Sequence, residues 1–212
     1  MDTTLIFVRH GQSEANTEKY FAGHLDAPLT MLGHTQALRM ADFLKGYPIS
    51  AIYASDLSRA MDTARPIKDH FGLSIVPDRR LREVHAGEWQ KKDFAYLKQN
   101  TLYQLWRTGA DSVAPLGGES IRALFDRVDT AISEIATNHP GETVAIVTHA
   151  TPIRVLKTKW FGVPLTLLET ISSPPNASIT IVKYRKDGTQ EIVLDGENQF
   201  LGALSAAPTT QM

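Results

Sequence analysis

The 212-residue chain contains no cysteine. That removes disulfides, thiolate catalysis and every cysteine-based zinc motif. It has no surplus of either charge, with 22 Lys and Arg against 23 Asp and Glu. A protein that binds nucleic acid over its whole surface shows a clear basic excess, so no nucleic-acid partner is expected. Long apolar runs are missing too. None approaches the ~20 residues of a membrane-spanning helix. The opening residues, Met1 to Val8, carry neither the basic segment nor the apolar length of a signal peptide. The expectation is a soluble cytoplasmic protein with no membrane partner.

Short apolar runs alternate with helical patterns. Residues 5–8, 49–53, 73–76 and 143–148 read as strands, most of them buried on both faces of a parallel sheet. The spacing predicts a helix capped at Thr30 and running to about Lys45, with Leu38, Ala41 and Leu44 on its apolar face. A second runs from Ser58 to His70 and stops at Gly72. A third starts near Ser120, with Ile121, Leu124, Phe125, Val128, Ile132 and Ile135 on one face. Thr151-Pro152 reads as a cap with proline at the first helical position, opening a helix to about Phe161. Residues 179–183 and 191–194 form an expected hairpin around Lys186-Asp187-Gly188. Strands alternating with helices indicate an α/β protein with a mostly parallel sheet. The stretch 85–118 holds Trp89, Phe94, Tyr96, Tyr103 and Trp106 without a strand signal, and reads as a small, mainly helical insertion. One domain over residues 1–204 is expected, with 85–118 covering its site and a flexible tail at 205–212.

In open sheets of this kind ligands bind beyond the carboxyl ends of the strands. Two of those ends carry a histidine: Arg9-His10-Gly11 after the first strand, and His149-Ala150-Thr151 after the fourth. Gly11 would let backbone approach a ligand closely. A helix opening at Thr151 would turn its positive end toward an anion. Taken singly, these residues have plainer explanations. One histidine among seven is usually structural or solvated. His70 and His139 stand where helices end, His24 and His34 look exposed, and Arg59 looks like a surface charge. No His-Glu-x-x-His pattern or carboxylate cluster suggests a metal. Asn176-Ala177-Ser178 matches a glycosylation acceptor only formally, and the aromatics of 85–118 read first as packing.

Together the motifs say more. Arg9-His10-Gly11-Gln12-Ser13-x-x-Asn16 resembles the signature of the histidine phosphatase superfamily, the phosphoglycerate mutase-like fold. Further blocks resemble the family in order, over roughly residues 3–184. They are Asp26-x-Pro28-Leu29-Thr30-x-x-Gly33-x-x-Gln36-Ala37, Ser55-Asp56-Leu57-x-Arg59-Ala60-x-x-Thr63-Ala64, Leu81-Arg82-Glu83-Val84-x-x-Gly87-Glu88-Trp89, Gly117-Gly118-Glu119-Ser120 and Val147-Thr148-His149. The resemblance implies a three-layer α/β/α sandwich. It implies that His10 is the nucleophile that takes a phosphoryl group, and that Arg9, Asn16, Arg59, His149 and the backbone of Ala150 hold the phosphate. Glu83 would protonate the leaving oxygen and then activate water.

Those roles are chemically coherent. A phosphoryl group bears about −1.5 to −2 charge, which repels a nucleophile. Two arginines and a protonated histidine would offset it as charge spreads in the transition state. His10 has to be neutral, with one ring nitrogen free and the other held by an acceptor such as a backbone carbonyl. A phosphohistidine divides one hard displacement into two easier ones. No metal and no other cofactor is implied.

Departures from the family narrow the branch. The acid phosphatase and phytase branch resembles Arg-His-Gly-x-Arg-x-Pro, with His-Asp at the second histidine; here those positions are Ser13 and Ala150. Ala150 cannot donate a proton, so that role rests on Glu83; in place of the common glycine it also tightens the pocket. Phe21 and His85 are the expected substrate-pocket residues, and Lys91, Lys92 and Arg107 could meet a second negative charge. The implied activity is hydrolysis of a small phosphorylated metabolite through phosphohistidine on His10. The alternative is a bisphosphoglycerate-dependent phosphoglycerate mutase; those enzymes carry a longer insertion between the glutamate and the second histidine and a different sequence around the glutamate. A phosphate-binding protein without turnover is disfavoured, because every matched catalytic position is intact. A homodimer is one assembly the resemblance allows.

Overall fold

The computed structural model describes residues 1–205; the tail expected to be flexible lies, from 206 onward, outside them. In chain order the elements are β1 (Thr3–Arg9), α1 (Glu14–Glu18), α2 (Met31–Leu44), β2 (Ile49–Ala54), α3 (Ser58–Phe71), β3 (Ile75–Pro77), α4 (Phe94–Leu97), α5 (Thr101–Arg107), α6 (Ile121–Asn138), β4 (Thr143–Thr148), α7 (Ala150–Trp160), β5 (Ile179–Tyr184) and β6 (Gln190–Glu197). They form one six-stranded sheet in the order β3-β2-β4-β1-β5-β6. The β1, β2, β3 and β4 ladders are parallel, while β5 and β6 close one edge as the expected antiparallel hairpin.

The central strands are apolar throughout because both of their faces are covered. Successive side chains point to opposite sides. Leu5, Phe7, Val144 and Ile146 join a core with α6, α7 and the 85–118 segment. Ile6, Val8, Ala145 and Val147 join a second core with α2 and α3. The result is the three-layer α/β/α sandwich. Each fully buried Leu, Ile or Val contributes roughly 1.5–3 kcal/mol to it. Among the described residues no helix is long and apolar enough to cross a membrane.

Two helix readings need correction. On α2 the buried stripe is Ala37, Met40, Ala41 and Leu44, while Leu38 is 59% exposed. Leu38 is one residue, about 100° of helix rotation, away from the stripe at Ala37. The cap of α7 is His149, not Thr151; the helix begins at Ala150 and Pro152 falls at its third position. Proline is still inside the first turn, where its missing N–H has no helical partner to lose. The shift matters, because it puts the N–H groups of Ala150 and Thr151, which have no partner within the helix, directly after the second histidine.

The 85–118 segment carries two short helices, α4 and α5, between irregular stretches, and its aromatics mostly pack, as expected. Trp89, Phe94, Tyr103 and Trp106 are buried and Tyr96 is exposed. Phe21 stands against three of their rings, with centroids 5.5 Å from Phe94, 6.4 Å from Tyr103 and 5.9 Å from Trp106.

Candidate active site

Strands β1 and β4 are parallel neighbours, with Arg9 opposite Thr148. Their carboxyl ends therefore lie side by side, and the next residue of each is a histidine. The His10 N–H donates to the Thr148 carbonyl at 3.0 Å, and the His10 and His149 ring centroids are 5.1 Å apart. An open cleft lies over this point; Arg9, His10, Asn16, Arg59, Glu83 and Ala150 are among the residues lining it.

The loop after β1 is held by residues distant in sequence. Thr63 Oγ1 accepts from the Gly11 N–H, and Gln36 Oε1 from the Gln12 N–H. Asn176 Nδ2 donates to the His10 carbonyl at 3.1 Å and to Asn16 Oδ1 at 3.1 Å. Gly11 serves a purpose other than the one read from sequence. A Cβ there would lie 2.5 Å from the Gly33 carbonyl oxygen, so its close approach is to the start of α2.

His10 donates Nδ1–H to the carbonyl of Gly11 at 2.7 Å. That fixes the tautomer and leaves the Nε2 lone pair for chemistry. Burial, reinforced by Arg59 and Arg9, holds its pKa well below the ordinary 6.5. The ring is thus neutral and nucleophilic at pH 7. The two arginines are anchored through backbone carbonyls: Arg9 Nη1 on Pro174, and Arg59 Nη1 and Nη2 on Leu25 and Gly23. Both are buried; burial lowers each pKa to about 10, and Glu83 opposes the shift. Each stays charged at neutral pH. Asn16 commits its carbonyl oxygen to the Ser13 N–H, Ser13 Oγ and Asn176, so its amide is the end left to donate.

His149 is fully buried beneath this wall. Nε2 lies 2.8 Å from Ser55 Oγ, while buried Nδ1 makes no hydrogen bond among the described residues. Burial, then Arg59 and His10, push its pKa well below 6.5. The Glu83 carboxylate accepts from the Val84 N–H at 2.8 Å and from the Thr151 N–H in the first turn of α7 at 3.3 Å. The Glu83 carboxylate is thereby tied to the N-terminal end of α7. Among the described residues no group of three or more His, Cys, Asp or Glu side chains is placed to hold a metal ion.

The buried imidazoles carry a prediction. His10 and His149 titrate well below 6.5 when folded, and burial brings half-buried His24 down to about 4. A depressed folded pKa contributes stability that is present above the unfolded value and lost as pH falls toward the folded one. Carboxylates with lowered values, the partly buried Asp56, Asp78 and Glu119 among them, matter only below their ordinary range near pH 4. Thermal melting should therefore decline already between pH 6.5 and 5; a flat melting temperature across that window would contradict these neutral sites.

Of the two residues expected in the substrate pocket, Phe21 is a cleft wall, together with Tyr20 and Phe94. His85 is not; its ring stands edge-on to His24 at 4.7 Å, outside the lining. Lys91 and Lys92 are solvent-facing and Arg107 is outside the lining. His24, read as exposed, is half-buried with Nε2 on the Glu83 carbonyl at 2.8 Å. Sequence reasoning assigned no part to Ser55, Thr63, Gln36 or Asn176. The first three fall inside quoted motif blocks, a signal that was present; Asn176 offered only a formal glycosylation match.

Comparison with known proteins agrees with this geometry. The chain is 32% identical over 186 residues to a glucosyl-3-phosphoglycerate phosphatase of Mycobacterium tuberculosis, covering 83% of each. It is 38% identical over 157 residues to phosphoglycerate mutase-like protein 4 of Arabidopsis thaliana, covering 72% of this chain and 68% of that one. The solved structure of Bacillus stearothermophilus YhfR superposes with a TM-score of 0.87 at 31% identity, over 94% of this chain and 99% of that one. The profile of the histidine phosphatase superfamily (branch 1) matches residues 5–195, and the chain belongs to that family.

Proposed function

We propose that this protein is a phosphoric monoester hydrolase of the cytoplasm that cleaves a small phosphorylated metabolite through a phosphohistidine. The observation that carries the reading is His10 itself. It is a neutral imidazole with Nδ1–H committed to a carbonyl, its ring in a cleft with two buried arginines and one carboxylate. Nε2 attacks phosphorus while the arginines and the Asn16 amide bind the equatorial oxygens. The P–O bond to the substrate alcohol breaks and Glu83 gives that oxygen its proton. In the second half Glu83 takes a proton from water, water displaces His10, and orthophosphate leaves. The dianion favours a proton on nearby His149, whose Nδ1–H would then donate to it. No step calls for a metal, because the positive charge comes from side chains.

The alcohol portion would rest against Phe21, Tyr20 and Phe94, and segment 85–118 acts as the cover of a single domain spanning residues 1–204. The relatives' names divide between phosphatase and mutase-like. The hydrolytic reading rests on the sequence around Glu83 and the shorter insertion. The discriminating experiment mixes the protein, without added metal, with a phosphorylated metabolite panel and with bisphosphoglycerate plus phosphoglycerate. Release of inorganic phosphate is expected. Interconversion of phosphoglycerates without release would establish the mutase instead.

A further inference from the structure

We propose that His24 is a positioning residue that sets the acid Glu83 at a fixed distance from the phosphate-binding Arg59; the proposal rests on the phosphatase reading. Three consecutive residues span the two groups. The carbonyls of Gly23 and Leu25 accept from Arg59 Nη2 and Nη1 at 2.8 and 2.9 Å. Between them the His24 side chain reaches the other way, and its Nε2–H donates to the main-chain carbonyl of Glu83 at 2.8 Å. One short loop thus holds the cation that binds phosphate and the peptide that carries the acid.

The loop has little freedom to yield. Gly23 adopts a left-handed φ of 54°, and a Cβ there would meet Gln90 Oε1 at 2.9 Å and Ala86 Cβ at 3.0 Å. Gln90 Oε1 accepts from the His24 N–H at 2.9 Å, and the His85 ring closes the outer side. The Glu83 carbonyl is also reached from behind by Arg127 of α6, at 3.3 Å. Arg127 further donates to the Arg80 and Arg82 carbonyls and pairs with Glu119, which itself accepts from the His85 N–H. The 80–85 segment is therefore fixed on its α6 side by Arg127 and Glu119. At the Glu83 carbonyl the His24 contact, 2.8 Å, is shorter than that of Arg127, 3.3 Å. Its low pKa keeps this ring neutral near pH 7, which is compatible with a single Nε2–H donor.

A histidine that serves packing alone would, when removed, lower activity on all substrates alike. One that aims a general acid would spare esters whose leaving group needs no proton. The test compares wild type, His24→Ala and His24→Gln by kcat/KM on p-nitrophenyl phosphate and on a simple alkyl phosphate; Gln retains a donor near the Nε2 position. We expect His24→Ala to lose about 30-fold on the alkyl ester and less than about threefold on the aryl ester, a fraction of the ~10²–10⁴ that a general acid supplies. His24→Gln should recover most of the loss, and orthophosphate inhibition should stay unchanged in both. Equal loss on the two esters, or none on either, would overturn the positioning role while leaving the phosphatase reading in place. A wild type inert toward both esters would overturn that reading and this inference together.

Discussion

Replacing His10 by alanine should abolish turnover while leaving phosphate binding largely intact. The expected fall in kcat/KM is about 10⁴-fold or more, over about 5 kcal/mol at ~1.4 kcal/mol per decade. The magnitude follows from what remains after the substitution. Arg9 and Arg59 take their positions from the carbonyls of Pro174, Gly23 and Leu25, not from the imidazole, so the anion site survives. What disappears is the neutral nitrogen base that lines the cleft beside them, and water attacking a dianion directly has no such pre-positioned lone pair. Two measurements check this. Isothermal titration with orthophosphate should give an affinity within about tenfold of wild type, in keeping with the two retained cations. After brief exposure to a radiolabelled ester and an alkaline quench, wild type should carry label on histidine and the variant none. A variant retaining a tenth of wild-type activity would remove His10 from the nucleophile position.

Glu83→Gln is the second large effect, and its signature is selectivity rather than size alone. Loss of the proton donor should cut kcat/KM about 10²–10⁴-fold for alkyl phosphates and less than about tenfold for p-nitrophenyl phosphate, whose phenolate departs without help. The parameter kcat/KM isolates the first half of the reaction, where Glu83 acts as acid. Orthophosphate should bind about as well as before, because Arg9 and Arg59 keep their backbone anchors. The substitution has a structural cost of its own. The carboxylate accepts from two backbone N–H groups, Val84 and Thr151, and a carboxamide presents only one oxygen to them. A destabilisation of about 1–3 kcal/mol is expected from the misplaced donor. A uniform loss across leaving groups would show that Glu83 supports the site without donating the proton.

The fold was legible because its signals are local. Continuous apolar runs at 5–8 and 143–148 mark strands covered on both faces, and the Ile121–Ile135 stripe marks a helix with one dry side. The site was legible only through the motif blocks taken together. Nothing at Arg59 alone distinguishes a surface charge from a cation 2% exposed and tied to two carbonyls. The misses have a common cause. His24 and Asn176 make hydrogen bonds to groups 59 and 160 or more residues away, and a polar side chain carries no trace of such a partner in its own neighbourhood. His85 failed in the opposite sense. Its proximity in sequence to Glu83 suggested the cleft, but its backbone is turned outward, with N–H and carbonyl both paired to Glu119.

The pairing of β1 with β4 has a consequence for how such an enzyme can change. Interstrand spacing in a sheet is constant at about 4.8 Å, so the separation of the two histidine backbones is set by the ladder. Phe21 and Phe94, which would touch the alcohol, ride on loops and on the inserted helices, off that ladder. Drift in those loops can exchange one alcohol for another without disturbing the reacting pair. The spacing of the two histidines is insulated from that drift, whereas Glu83 and Arg59, tied through the 23–25 loop to Gln90, are not.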